Sequence, residues 1–162
     1  MLIILNGPIN AGKSTIAKLL SEMILNTAHV EVDKIREFIS WMEGSEGWNM
    51  SFEAAIPLAK KFIEKGLNVI IAYHISKDDY QKIVDELGSS SGDMYAFTLR
   101  PTMELLLQNR GSREIGEREI NKIKDTYNRE MYQSHGEIID NTHQTPEQTA
   151  KHIYNKVKDS IK

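Results

Sequence analysis

LIILNGPINAGKST, residues 2–15, is the stretch that decides the fold. Four apolar residues, Leu2–Leu5, read as a short buried strand ended by Asn6-Gly7. From Lys13 to Leu25 the apolar residues Ile16, Leu19, Leu20, Met23 and Ile24 form a helical stripe. Between strand and helix, Gly7, Gly12, Lys13 and Ser14 keep the spacing of a loop that cradles phosphate. The residue types explain the pattern. Glycine lets the backbone close around an anion without a Cβ in the way. The start of the helix adds unpaired N–H groups and the positive end of its dipole. Lys13 reaches the β- and γ-phosphates as a point charge, Ser14 offers a hard oxygen to Mg²⁺, and Thr15 supports the α-phosphate. Gly7, Asn10, Ala11, Gly12, Lys13, Ser14 and Thr15 are therefore the expected nucleotide-binding residues, with Ser14 as the metal ligand.

Outward from this loop, apolar strands alternate with helices. HVEV (29–32), LNVIIAY (67–73), MYAFTL (94–99) and Glu137–Ile139 read as strands. Lys34–Glu43 reads as a helix broken by GSEGW (44–48). A second helix is expected from a Ser51 cap to Lys65, with Gly66 as its stop. Ser76 and Asp79 form a capping-box pattern, SSSGD (89–93) a surface loop, and Pro101-Thr102 the opening of a short leucine-rich helix. A helix is expected over Glu117–Tyr132. Thr145, Pro146 and Gln148 start the last one. Strands separated by helices pair in parallel through right-handed crossovers, which predicts one three-layer α/β domain over residues 1–162. Ligands of such sheets sit beyond the carboxyl ends of the strands. The site is thus expected in loops 6–13, 33–36, 73–76, 100–102 and 140–146.

Asp33 stands where the second strand gives way to a helix. A carboxylate there faces the γ-phosphate and can take the proton of an acceptor hydroxyl; the alternative is a helix cap. Arg36, one turn on, is either an acceptor-binding residue or a solvated surface charge. His74 follows the third strand, either touching substrate or hydrogen-bonded structurally. Asn141 and Thr142 end the last strand, as base contacts or as a plain turn. Trp41 and Trp48 flank the GSEG stretch as an acceptor lid or as core. In LLLQNRGSREIGERE (105–119), Gly111 and Gly116 suggest a flap over about 108–118. Arg110 and Arg113 would neutralise developing charge and exclude water there, ahead of Arg118, which sits between Glu117 and Glu119. The region 36–60 is expected to bind the acceptor but carries no code that names it.

Composition narrows the partners. A net charge of −3 argues against broad nucleic-acid or membrane-surface binding. The absence of cysteine excludes disulfides and thiolate chemistry. No spacing suits a transition-metal site. Neither a leader segment nor a membrane-length apolar run is legible, so a cytoplasmic location is expected; oligomeric state stays open.

The chain resembles the small P-loop kinases of the nucleoside-monophosphate, shikimate and gluconate kinase-like group, and within it chloramphenicol phosphotransferase-like proteins. LIILNGPINAGKST, VEVDKIREFI and IIDNTHQTPEQTAKHI carry the resemblance. It implies a five-stranded parallel sheet in the order 2-3-1-4-5, ATP and Mg²⁺ as cofactors, and γ-phosphate transfer to a small-molecule hydroxyl. It also implies Asp33 as base, with Arg110 and Arg113 on the lid. The Asp-x-x-Arg spacing of Asp33 and Arg36 is also similar to polynucleotide 5′-kinases. One departure stands out. Such proteins end the third strand in an aspartate that helps hold the Mg²⁺ water shell, and here Ala72 and Tyr73 stand in its place. A nucleotide-binding module without transfer is therefore a third reading.

Overall fold

The computed structural model describes residues 1–109, 114–128 and 135–161. Five strands, β1 (Leu2–Asn6), β2 (Thr27–Glu31), β3 (Asn68–Ala72), β4 (Met94–Leu99) and β5 (Glu137–Ile139), form one parallel sheet in the order β2-β3-β1-β4-β5. Around them run α1 (Lys13–Met23), α2 (Val32–Glu37), α3 (Gly44–Glu64), α4 (Lys77–Ser91), α5 (Met103–Leu106), α6 (Glu117–Asn128) and α7 (Pro146–Val157).

The central strands β1 and β3 are buried along their whole length, as a sheet covered on both faces requires. Alternate residues serve opposite cores. Ile3 and Leu5 pack with Ile16, Leu20 and Ile153, whereas Leu2 and Ile4 pack with Phe52, Ile56 and Ile83. Each such Leu or Ile, fully removed from water, contributes roughly 1.5–3 kcal/mol. In register, Leu5 lies beside Ala72 and Ala72 beside Glu31, so three strands end level under the phosphate loop.

Three local expectations are corrected. The helix expected over Lys34–Glu43 ends at Glu37. The Arg36 guanidinium bends back and donates to the carbonyls of Ile39 and Met42, and residues 38–42 continue as tight turns. GSEGW does not break a helix but opens α3, and Ser51 lies inside it, bonding the Gly47 carbonyl four residues back at 2.7 Å instead of capping. SSSGD is not all loop, since α4 runs to Ser91. The capping boxes at Ser76 and Thr145 form as expected, each with both reciprocal bonds.

Candidate functional site

The phosphate loop leaves β1 through Gly7, whose added Cβ would lie 2.8 Å from the Leu99 carbonyl oxygen. Only glycine lets the loop pass so close to β4. Asn10 (φ 65°) and Gly12 (φ 92°) take left-handed conformations that turn the loop into α1. Lys13 Nζ donates to the carbonyls of Gly7 (2.9 Å) and Pro8 (2.8 Å), so its ammonium sits at the mouth of the loop. Asn10 ties the loop to the start of the arginine segment, donating to the carbonyls of Leu106 (2.8 Å) and Gln108 (3.0 Å). Asn141 is buried and donates to the Ala11 carbonyl at 3.0 Å, so its amide braces the loop from behind.

Beneath the loop runs a buried polar strut. Asn6 Oδ1 accepts from the Ile75 backbone N–H, and Asn6 Nδ2 donates to Thr98 Oγ1. Thr98 in turn bonds both backbone groups of His135. The strut holds the ends of β1, β3 and β4 in fixed relation, and with them the loops that carry the site.

Ser14 donates its hydroxyl to a carboxylate oxygen of Glu31, the last residue of β2. In the sequence Glu31 is one residue of the HVEV strand pattern, which gives it no site role. Its strand position is next to the one where the third strand lacks a carboxylate. Ala72, at 2% exposure, is buried in the same core cluster as Ala11 and Ile16. Glu31 stands beside it in register on the neighbouring strand. Ser14 and Glu31 together present hard oxygens beside Lys13, a donor set that fits Mg²⁺ carried on phosphate. A readable signal existed: two acidic residues two positions apart at the end of a strand.

Asp33 lies inside the first turn of α2, exposed; the cap position is Glu31, so the cap reading of Asp33 does not hold. Its charge reaches Tyr73, whose hydroxyl is pushed up to about 12 by burial first, then by Asp33 and Asp79. Tyr73 stacks on Trp48 (6.3 Å between centroids) and on buried Phe52 (5.9 Å). The Arg36 guanidinium lies 5.5 Å from the Trp48 ring centre, close against Gly47, where an added Cβ would come within 2.9 Å of it. Its Nε is buried without a hydrogen-bond partner among the described residues. Trp48 thus belongs to the cleft wall, while Trp41 is exposed.

His74 hydrogen-bonds the Gly7 backbone, and its pKa is lowered to about 4 by burial first, then by Lys13 and Lys122. The imidazole is therefore neutral at pH 7. In the unfolded chain it titrates near 6.5, so between about 6.5 and 4 the unfolded state binds more protons. Stability from this group is present above 6.5 and is lost as the pH falls toward 4. The ceiling is about 3 kcal/mol, less what solvent screens. Urea unfolding from pH 7 to pH 4 should show this slope, and His74→Gln should flatten it.

Thr142 and Thr102 join at the far side. Thr142 Oγ1 accepts from the Thr102 N–H at 2.9 Å, and Asp140 accepts from Thr142. With Glu104, Leu105, Gln108 and His143 they line a cavity of about 410 Å³, large enough for a nucleobase. Arg110 and Arg113 lie outside the described residues; Arg118 is exposed in the first turn of α6. Among the described residues no three His, Asp or Glu gather as a transition-metal site would need, and no helix is long and apolar enough to cross a membrane.

No protein-family model and no curated protein matches the sequence. Solved structures do. The tunicamycin resistance protein of Deinococcus radiodurans is 19% identical, with a TM-score of 0.69 over 96% of this chain and 94% of that one. A shikimate kinase from Aquifex aeolicus is 20% identical, with a TM-score of 0.61 over 99% and 98%. A gluconokinase from Sinorhizobium meliloti is 12% identical, with a TM-score of 0.67 over 98% and 92%. The fold is that of the small P-loop kinases, in the strand order the resemblance implied.

Proposed function

We propose that the protein is an ATP-dependent phosphotransferase that moves the γ-phosphate to a hydroxyl of a small molecule. The observation that carries this is the hydrogen bond of Ser14 to Glu31 at the phosphate loop whose carbonyls hold Lys13, with Asp33 two residues beyond Glu31. Mg²⁺, when bound, neutralises charge on the β- and γ-phosphates, and Ser14 with Glu31 would hold it and its waters. Lys13 holds the terminal phosphates. Asp33 orients the acceptor hydroxyl and takes its proton as the new O–P bond forms and the bond to the leaving nucleoside diphosphate breaks. Arg110 and Arg113 supply positive charge to the transferring group. The nucleobase enters the cavity between Thr102 and Thr142. Trp48, from the 36–60 region, and Tyr73 form the acceptor wall. Arg36 serves it indirectly, since two of its donors hold backbone carbonyls and its guanidinium lies over Trp48. Positioning and electrostatics supply most of the rate.

The test is Mg²⁺-dependent transfer of labelled γ-phosphate from ATP to an acceptor panel. The panel holds chloramphenicol, shikimate, gluconate, nucleosides, nucleoside monophosphates and a 5′-hydroxyl oligonucleotide. A labelled small molecule supports the reading and names the acceptor class. Label on the oligonucleotide alone replaces it with a polynucleotide kinase. ATP binding with no transfer to any acceptor favours a non-catalytic nucleotide-binding module.

A further inference from the structure

Lys122 brings a cation to the cleft from outside the phosphate loop. Its neighbour Ile123 is fully buried in the core cluster that also holds Ala11, Ile16 and Leu106, so α6 is fixed to the core at this point while the lysine is exposed. The Lys122 ammonium lies 5.6 Å from the centre of the Trp48 ring. Trp48 stacks on Tyr73, and the next residue, His74, bonds Gly7, whose carbonyl holds Lys13. Trp48, Tyr73 and His74 therefore lie along the path between the two lysines. The imidazole registers both, since Lys13 and Lys122 each help hold its pKa down. A cation over the face of a part-exposed indole is held more weakly than one hydrogen-bonded to a phosphate oxygen. A flexible four-carbon stem lets the ammonium exchange one partner for the other.

We propose that Lys122 alternates between the Trp48 face and the terminal phosphate of a bound nucleoside triphosphate, so that the triphosphate uncovers the indole face for the acceptor. This rests on the nucleotide-binding reading above. It makes Lys122 a reader of the γ-phosphate and orders the substrates, nucleotide first.

With Trp41→Phe, Trp48 is the sole tryptophan and reports the exchange. The probes are the β,γ-methylene analogue of ATP and ADP, each with Mg²⁺, followed by calorimetry and Trp48 emission. The expected result is an emission change with the triphosphate analogue and little with ADP. In this background Lys122→Met should abolish the change and weaken triphosphate binding about tenfold, with ADP affinity altered less than about twofold. Lys122→Arg should retain both. Lys122 is exposed, so its replacement should leave the melting temperature unchanged, a control for folding. If both nucleotides bind and Lys122→Met still holds the analogue as tightly as its parent, the proposal is overturned and the kinase reading stands. An equal emission response to ADP overturns it likewise. If neither nucleotide binds the parent, the phosphate-loop reading fails and this proposal with it.

Discussion

Asp33→Asn should lower transfer to the accepted hydroxyl by roughly 10²- to 10⁴-fold while nucleotide affinity changes little, because a positioned general base contributes about that much. The amide keeps the shape of the carboxylate and loses its capacity to take a proton. Asp33 lies in the first turn of α2, exposed, and its charge is felt at Tyr73. Nucleotide binding draws on Lys13 and the loop, so calorimetry with Mg-ADP should report the same affinity for parent and variant. The kinetic loss should fall on kcat, because proton transfer is made only in the transition state. Equal transfer rates for Asp33→Asn and the parent would remove Asp33 from the mechanism.

Glu31→Gln should cost about 10- to 100-fold in transfer at low Mg²⁺, the usual size of a lost outer-sphere metal partner, and raise the Mg²⁺ concentration for half-maximal rate. Glutamine still accepts the Ser14 hydroxyl, so the loop keeps its shape and only the negative charge goes. The third strand supplies no carboxylate at this end, since β3 finishes in the buried Ala72. A Mg²⁺ titration of initial rates separates this from general damage. A variant with the parent's Mg²⁺ dependence would return Glu31 to a purely structural role and restore the non-catalytic reading to standing.

The elements read correctly from sequence share one property: each is coded within a few consecutive residues. The phosphate loop is a backbone device nine residues long, and the glycines and the helix start that build it are neighbours. The Thr145-Pro146-Gln148 cap is satisfied within one turn. MYAFTL and Glu137–Ile139 form strands over the residues expected. The misread elements depend on partners distant in sequence or on side chains that choose an unexpected one. Glycine-rich GSEGW carries a breaker's composition, yet it is helical because α3 packs on β2, β3 and α4 and Gly47 leaves room for Arg36. Arg36 shares a helix face with Asp33 by spacing, but its guanidinium turns to Ile39 and Met42, and α2 ends there.

The sequence by itself determined the parallel α/β class and the phosphate loop, and it pointed to Asp33, because hydrophobic period and glycine geometry act locally. Only the tertiary structure joined Glu31 to Ser14, seventeen residues away, and put Lys122 on Trp48 beside the cleft. Strand register and helix docking bring such side chains together, and neither leaves a mark in any short window of residues.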